Sequence, residues 1–278
     1  FGVTRIVNFA HGSFYMLGAL VAGTLVTQWL PAWSEHGSTY LLAMLLGAAS
    51  AALLGGFTEV FLFRPLRHSP PLYPLVATFG LSLVIHDVLL WALGPGEVFA
   101  PRFPGLKGAI ELGESYFPTW QLFTLVLGPL VWLGLHLLLT RTQWGQRVKA
   151  ATQDRDMLDA LGVNPAPLML GVVMLACGLA GLAGALQLPR EPANLQMDVN
   201  VVVETFVVVV TGGLGSIGGA FAAALLIGVI HSLGLSFFPQ ATLVLVFLTM
   251  AVVLVWRPQG LAGSAAHADQ RESVPVFS

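Results

Sequence analysis

Long apolar runs, separated by short segments rich in polar residues, glycine and proline, extend along most of the 278 residues. No charged residue occurs from Gly12 to Ser34 or from His36 to Thr58. A helix needs about 20 mostly apolar residues to cross the hydrocarbon core of a bilayer. The pattern therefore predicts about eight membrane segments, at residues 12–34, 36–58, 72–93, 118–140, 167–188, 199–210, 220–236 and 241–256.

The segments between these runs set the limits of the predicted transmembrane domain. Residues 94–117 are rich in Gly and Pro and predict an extramembrane loop. The run Val199–Val210 is short for a span and is interrupted by Glu204, so a re-entrant segment stays open as the alternative. A polar tail is expected at residues 264–278, which assigns the transmembrane domain to residues 1–263.

The positions of Lys and Arg predict the orientation, because cytoplasmic loops carry an excess of both. With the segment before Gly12 on the cytoplasmic side and eight crossings, nine basic residues are cytoplasmic: Arg5, Arg64, Arg67, Arg141, Arg147, Lys149, Arg155, Arg257 and Arg271. Three lie outside: Arg102, Lys107 and Arg190. A re-entrant Val199–Val210 would change the split to seven against five, so the spanning alternative is preferred.

The composition excludes several classes of protein. Charged residues make up 9% of the chain, against roughly 25% in soluble domains, which argues against a soluble enzyme. The net charge of −2 argues against nucleic-acid binding, which normally uses a basic surface. The single cysteine, Cys177, excludes an internal disulfide. Because the chain starts at Phe1 rather than Met, we expect that one leading transmembrane helix is missing.

One connector between predicted spans is strongly charged. It holds seven charged residues: Arg141, Arg147, Lys149, Asp154, Arg155, Asp156 and Asp159. Nothing interrupts a helix from Gln146 to Leu161, and Gly162 followed by Pro165 ends it. The pattern predicts an amphipathic helix at residues 146–161. Its spacing leaves two interpretations open, a solvated connector or a docking helix for a cytosolic partner.

Polar and small residues beside the apolar runs have both structural and functional interpretations. Asn8 and His11 precede Gly12 at the start of a span, where they either satisfy backbone groups or mark a broken helix start near a pathway. A turn after Val210 contains five glycines, Gly212, Gly213, Gly215, Gly218 and Gly219. The turn predicts close helix packing, with pathway lining by Thr211 and Ser216 as the alternative.

Ionisable and small side chains inside the spans give two further predictions. The adjacent His86 and Asp87 either lie close enough to water to need no role or act as a proton relay. Small residues at positions 178, 181 and 184 predict a helix face that packs against another helix. No pair of histidines at helical spacing and no Ser/His/Asp arrangement is visible, so metal binding and intramembrane hydrolysis lack support.

Four motifs agree in order and spacing with one family. They are Arg5–Ala19, the connector from Arg147 to Asn164, Gly212–Ala220 and Arg257–Gly263. Together they resemble permeases for branched-chain amino acids, which are membrane subunits of ATP-binding-cassette importers. The resemblance extends from residue 2 to residue 263 and is strongest to the first of the two paired permeases of the system.

The resemblance implies an all-α polytopic permease in a bacterial or archaeal cytoplasmic (inner) membrane. It implies a second homologous permease, two cytosolic ATPases that bind ATP and Mg, and an extracytoplasmic binding protein that delivers leucine, isoleucine or valine. The charged connector would be the coupling helix that contacts the ATPases, through Arg147, Lys149, Asp154, Arg155, Leu161 and Gly162.

The residues that follow the two lysines indicate that the chain has no phosphate-binding loop for ATP and takes its energy from partner proteins. A phosphate-binding loop ends in Lys-Ser or Lys-Thr, whereas Lys107 is followed by Gly and Lys149 by Ala. We therefore expect no cofactor in this chain and no enzymatic activity.

Other functions stay open at this point. The cargo could instead be urea, short amides or a broader range of amino acids. A secondary transporter driven by ions would use Asp87 or Glu204 as the coupling carboxylate. A membrane enzyme is disfavoured because no catalytic arrangement is visible in the spans.

Overall fold

The computed structural model describes residues 8–29, 36–67, 69–70, 72–112, 115–153 and 155–263. These residues form eleven α-helices: α1 His11–Thr24, α2 Gly37–Thr58, α3 Arg64–Leu66, α4 Leu72–Leu93, α5 Thr119–Arg141, α6 Gln143–Gln153, α7 Arg155–Ala160, α8 Pro165–Gln187, α9 Met197–Gly212, α10 Ile217–Phe237 and α11 Thr242–Trp256. Two π-helical segments continue α1 and α2, at Leu25–Trp29 and Glu59–Phe63. A short 3-10 helix, Pro239–Ala241, precedes α11.

Six of the described helical segments are long and apolar enough to cross a membrane. They are Gly37–Leu66, Leu72–Leu93, Thr119–Arg141, Pro165–Gln187, Ile217–Phe237 and Pro239–Trp256. The predicted all-α polytopic bundle is therefore confirmed. The other two predicted segments are helical as well: α1 has 14 residues before its π-helical continuation, and α9 has 16. Residues 30–35 and the predicted tail at 264–278 lie outside the described residues.

The predicted loop at residues 94–117 contains one element that the sequence pattern did not indicate. Strands β1 (Ala109–Leu112) and β2 (Ser115–Pro118) form an antiparallel hairpin in which Ile110 is opposite Phe117. Earlier in this segment, Val98 forms an isolated antiparallel bridge with Ala193. The segment is thus attached by backbone hydrogen bonds to the chain that follows α8.

The chain divides into two compact units, residues 3–202 and residues 203–278 together with residues 1 and 2. The core of the larger unit is built where α1, α2 and α8 meet through small residues. The backbone of Gly18 lies directly against Gly181, and Gly47 lies against the Gly18 carbonyl. Gly184 lies against the Tyr15 carbonyl. Close approach of this kind replaces the hydrophobic effect as the source of helix association in lipid, and it confirms the predicted small-residue face of α8.

Aromatic residues attach the predicted outer loop to this core. The ring of Phe103 stacks on Trp120 at 5.1 Å between centroids and meets the edge of Tyr40 at 5.2 Å. The indole Nε1 of Trp120 donates a hydrogen bond to the Leu186 carbonyl at 3.2 Å. Trp120 is the one buried residue of α5, and the other side chains of this helix are partly or fully exposed in the isolated chain.

In the smaller unit, α10 and α11 pack on each other and on the end of α9. Val207, Ile227 and Val246 form its buried centre. The last described segment closes this unit, because Leu261 and Ala262 donate backbone hydrogen bonds to the carbonyls of Thr211 and Gly212, at 2.9 and 3.1 Å.

Candidate functional site

The first turn of α9 lies beside the start of α1, inside the larger unit. The backbone of Gly12 is so close to the Asp198 carbonyl that any side chain at position 12 would overlap it. Near the other end of α1, Gly23 packs against Leu188. Because a helix rises 1.5 Å per residue, about 16 Å along α1 separates the two contacts. The chain between Leu188 and Asp198 therefore runs back along α1 over this distance before the first turn of α9.

An ionisable pair lies at the start of α9. The Nδ1 atom of His86, on α4, is 3.7 Å from one carboxylate oxygen of Asp198, and the other oxygen accepts a hydrogen bond from the Val199 N–H at 2.7 Å. The side chain of His86 is 32% exposed and that of Asp198 is 10% exposed. His86 thus pairs with Asp198, whereas the neighbouring Asp87 has an exposed side chain.

The predicted residues lie at the start of α1, where Asn8 forms a local turn just before the helix and His11 is its first residue. The side-chain oxygen of Asn8 accepts a hydrogen bond from the Ala10 N–H at 3.0 Å, and its carbonyl accepts one from the His11 N–H at 3.3 Å. Ser13 is fully buried, and its hydroxyl has no hydrogen-bond partner among the residues described. Asn8 therefore satisfies backbone groups at the helix start, and the pathway role of Asn8 and His11 stays a prediction.

The glycine turn brings backbone segments into direct contact in the smaller unit. Gly219 lies against the Gly212 carbonyl, and Gly213, with φ +98°, lies against Gly263. Gly215 also has positive φ, at +88°. Gly218, in contrast, has open space around it. Close packing therefore explains Gly212, Gly213 and Gly219, and backbone conformation explains Gly213 and Gly215.

The two polar residues beside this turn have different environments. The Ser216 hydroxyl caps α10 by accepting a hydrogen bond from the Gly219 N–H at 3.0 Å. Thr211 is fully buried, and its hydroxyl lacks a hydrogen-bond partner within the described part of the chain. Their predicted role in the pathway stays a prediction. They belong to the smaller unit, whereas Asn8 and His11 belong to the larger one.

The charged connector forms two helices where the sequence predicts one. Helix α6 begins at Gln143, three residues earlier than expected, because the Thr142 hydroxyl caps it by accepting a hydrogen bond from the Gly145 N–H at 3.1 Å. Helix α7 follows as a separate element. Asp154 and the side chain of Arg155 lie outside the described residues.

The end of the connector follows the sequence prediction. Gly162 adopts φ +80° and donates a hydrogen bond from its N–H to the Asp159 carbonyl at 2.9 Å. The Asn164 side chain then caps α8 by accepting a hydrogen bond from the Ala166 N–H at 2.8 Å, with Pro165 as the first helical residue. The predicted end of the connector helix at Gly162 is confirmed, and α8 begins at Pro165, two residues before the predicted start of the span at residue 167.

The two faces of the connector differ in character. Val148, Ala151 and Leu158 are buried and pack against α8 through Leu168 and Met169. The opposite surface exposes four of the residues predicted to contact ATPases: Arg147, Lys149, Leu161 and Gly162. Met157 is exposed beside them, at 61%. The connector thus rests on α8 and presents both charge and apolar surface outward.

The described residues contain no group of three or more His, Cys, Asp or Glu side chains that could hold a metal ion.

The model of one protein family, described as branched-chain amino acid transport system / permease component, matches residues 1–255. The chain belongs to this family. It is a multi-pass membrane protein and a transport permease, and it is called the permease from here on.

Named relatives agree with this assignment. The permease is 29% identical to the high-affinity branched-chain amino acid transport system permease protein BraD of Pseudomonas aeruginosa, over 95% of the chain and 88% of BraD. It is 25% identical to LivH of Salmonella typhimurium, over 93% of the chain and 88% of LivH. It is 27% identical to LivM of the same organism, over 94% of the chain and 64% of LivM. No solved structure matches the permease.

Asp198 is the residue of this site that sequence reasoning missed. From the sequence, its partner His86 was considered together with the adjacent Asp87, because a single apolar run shows only which residues are neighbours along the chain. The available signal was a carboxylate at the start of a helix too short to span, which marks discontinuous helices in transporters. At 16 residues, α9 of the permease is about 24 Å long.

Proposed function

We propose that the permease moves branched-chain amino acids into the cell as one membrane subunit of an ATP-binding-cassette importer. Relatives with "high-affinity branched-chain amino acid transport system" in their names support this cargo. The similarity to both LivH and LivM supports a partnership with a second, homologous permease. An extracytoplasmic binding protein would deliver leucine, isoleucine or valine, and two cytosolic ATPases would bind ATP and Mg.

The observation that supports energy coupling through the permease is the connector, residues 143–162, which has one buried face and one exposed face. Its buried face rests on Leu168 and Met169 of α8, and Gly145 lies against the backbone of Leu139 in α5. A force on the exposed face would therefore act directly on two long helices. Because α8 also packs on α1 and α2 through small residues, displacement of α8 would reach the core of the larger unit.

Reconstitution tests this function. The permease, its second permease and the ATPases are placed in proteoliposomes with ATP on the ATPase side and the binding protein on the other. We expect uptake of labelled leucine that requires ATP and stops when the ATPases are left out. Uptake that persists without ATPases and follows a proton or sodium gradient would support the ion-coupled alternative.

The same vesicles separate the cargo alternatives. Unlabelled isoleucine and valine should compete with leucine, whereas urea and short amides should not. Uptake of labelled urea, with no uptake of leucine at saturating binding protein, would assign the permease to a different cargo within the same transporter class.

A further inference from the structure

A cavity of about 210 Å³ lies in the larger unit, beside the first turn of α5. Three basic side chains line it: Arg102 and Lys107 from the predicted outer loop and Arg190 from the segment after α8. All three are exposed in the isolated chain. They are also the three basic residues that the sequence predicts on the outer side of the membrane. We call this site the basic cavity.

The backbone around the basic cavity is held by aromatic contacts and hydrogen bonds. Phe103 and Trp120 also line the cavity, and their rings stack at 5.1 Å between centroids. The Trp120 indole donates a hydrogen bond to the Leu186 carbonyl, and the Thr119 hydroxyl donates one to the Leu106 carbonyl at 2.6 Å. The basic side chains therefore extend from a frame that is fixed to the first turn of α5 and the last turn of α8.

The basic cavity and the charged connector lie at opposite ends of the same two helices. Trp120 in the first turn of α5 bonds to Leu186 in the last turn of α8, whereas the connector packs against the end of α5 at Leu139 and the start of α8 at Leu168. Each helix has 23 residues and is therefore about 35 Å long, enough to cross the hydrocarbon core. A connector that meets cytosolic ATPases places the basic cavity on the extracytoplasmic side.

The charges of the cavity favour an anion over a zwitterion. Arg102 and Lys107 have no ion-pair partner among the described residues, and Arg190 pairs with Glu191 at 3.5 Å, with both side chains 55% exposed. An exposed pair is weak, so Arg190 can exchange Glu191 for another carboxylate. No Asp or Glu lines the cavity within the described part of the chain. The ammonium group of a free amino acid would therefore lie among three like charges.

The lining favours an acidic protein side chain over a phospholipid. A phospholipid brings acyl chains, which need exposed apolar surface next to the headgroup site. In the basic cavity Trp120 is buried and Phe103 is half-buried in the ring stack, whereas the exposed side chains include the three cations and the Gln121 amide. The volume is also below the roughly 300–1,000 Å³ of small-molecule pockets, which suits one or two inserted side chains.

We infer that the basic cavity is a docking point for the extracytoplasmic binding protein, which inserts Asp or Glu side chains among Arg102, Lys107 and Arg190. The inference rests on the proposed function, which supplies that protein. Attraction between the cavity and an acidic surface speeds the encounter of the two proteins and fixes their relative orientation. The orientation matters because the amino acid must be released towards the permease.

A carbodiimide crosslink tests the contact directly, because this reagent joins a carboxylate to an amine that touches it. The chain has two lysines, Lys107 and Lys149. The assembled transporter is placed in phosphatidylcholine vesicles with the host's leucine-binding protein, and we expect a crosslinked product that contains this permease and the binding protein. Lys107→Arg should abolish the product while keeping the charge, and Lys149→Arg, the matched control, should retain it.

Two crosslinking results would overturn the inference. One is a product that persists in Lys107→Arg. The other is the absence of any product with the wild-type permease under conditions in which the binding protein stimulates the ATPases.

Charge reversal tests what the contact contributes. Arg102→Glu/Arg190→Glu should raise the concentration of binding protein that half-saturates ATPase stimulation by at least about tenfold at low salt, with the maximal rate retained. The difference should shrink as salt screens the charges. Arg102→Lys/Arg190→Lys keeps both charges at the same positions and is the matched control, expected to resemble the wild type.

The kinetic results that would overturn the inference are equally specific. An unchanged half-saturating concentration, or a loss confined to the maximal rate, would show that the cations do not contact the binding protein. An effect that appears only when the vesicles contain anionic phospholipid, and without binding protein, would assign the cations to lipid headgroups.

The two proposals fail in different ways. If the wild-type transporter shows neither leucine uptake nor ATPase stimulation with its binding protein, the proposed function fails. If both are normal in the wild type while the crosslink and the effect of charge reversal are absent, the docking inference alone fails.

Discussion

The guanidinium of Arg67 forms an ion pair with the carboxylate of Glu59 inside the larger unit of the permease. The Glu59 side chain is 1% exposed and that of Arg67 is 15% exposed. Glu59 begins the π-helical segment that continues α2, and Arg67 follows α3. The pair therefore joins the two ends of the segment that extends α2 beyond Thr58.

Removing one partner of this pair should be more damaging than removing both. Arg67→Ala leaves the Glu59 carboxylate buried without its guanidinium, and we expect a loss of about 3–5 kcal/mol. The double variant Glu59→Gln/Arg67→Gln should recover most of this loss because it removes both charges. The measurement is the unfolding of the purified permease in detergent. Arg64→Ala, at an exposed position one turn earlier, is the control, and a loss as large as that of Arg67→Ala would contradict the prediction.

Gly18 should be intolerant of any larger side chain. Its backbone is in contact with the backbone of Gly181, so Gly18→Leu would force α1 and α8 apart and disrupt the core. We expect no monodisperse permease in size-exclusion chromatography. Gly134→Leu on α5 is the matched control, since nothing lies within 4 Å of a side chain there. Normal elution of Gly18→Leu would mean that the two helices are not in close contact.

Gly215 and Gly218 should respond differently to the same change. Gly215 has φ +88°, a conformation that costs an L-residue roughly 1–2 kcal/mol, so Gly215→Ala should destabilise the permease and Gly215→Leu should impair its assembly or transport. Gly218 lies in α10 with open space around it, so Gly218→Ala should be neutral or stabilising by up to about 1 kcal/mol. Thermal unfolding of the two alanine variants side by side checks this difference. Equal midpoints would show that the turn relaxes without strain.

The predicted orientation can be checked with two exposed lysines. Lys107 lies in the predicted outer loop and Lys149 in the charged connector. In a Cys177→Ala background, we expect Lys107→Cys to react with an impermeant thiol reagent on intact cells and Lys149→Cys to react only after permeabilisation. The excess of basic residues on one side is the physical reason. The opposite labelling pattern would reverse the topology and remove the connector from the reach of cytosolic ATPases.

The exposed face of the connector should be required for ATPase recruitment. Arg147→Glu reverses an exposed charge, and Leu161→Asp places a charge on an apolar side chain that is 71% exposed. Each should reduce co-purification of the ATPases about tenfold, the effect of placing an unpaired charge in an interface, with no change in permease yield. Arg102→Glu, at an exposed position in the predicted outer loop, is the control. Full recovery of ATPases with both variants would count against docking at this face.

Local signals in the sequence predicted several elements to within a residue or two. The apolar run predicted at 72–93 is helix α4, Leu72–Leu93, and the run predicted at 118–140 is α5, Thr119–Arg141. The end of the connector helix at Gly162 and Pro165 was predicted correctly because glycine permits, and proline restricts, particular backbone angles without help from distant residues. The connector was predicted less well, because the capping contact from Thr142 to Gly145 was overlooked and α7 is a separate helix.

Membrane residence and helical architecture follow from the amino-acid sequence alone, because the free energy of placing a segment in lipid depends on the composition and length of that segment. Tertiary structure decided which residues meet. The approach of Gly18 to Gly181, the pairing of His86 with Asp198 and the contact of Gly12 with the first turn of α9 depend on how helices distant in sequence pack. Close packing selects one arrangement among many that the same apolar runs would allow.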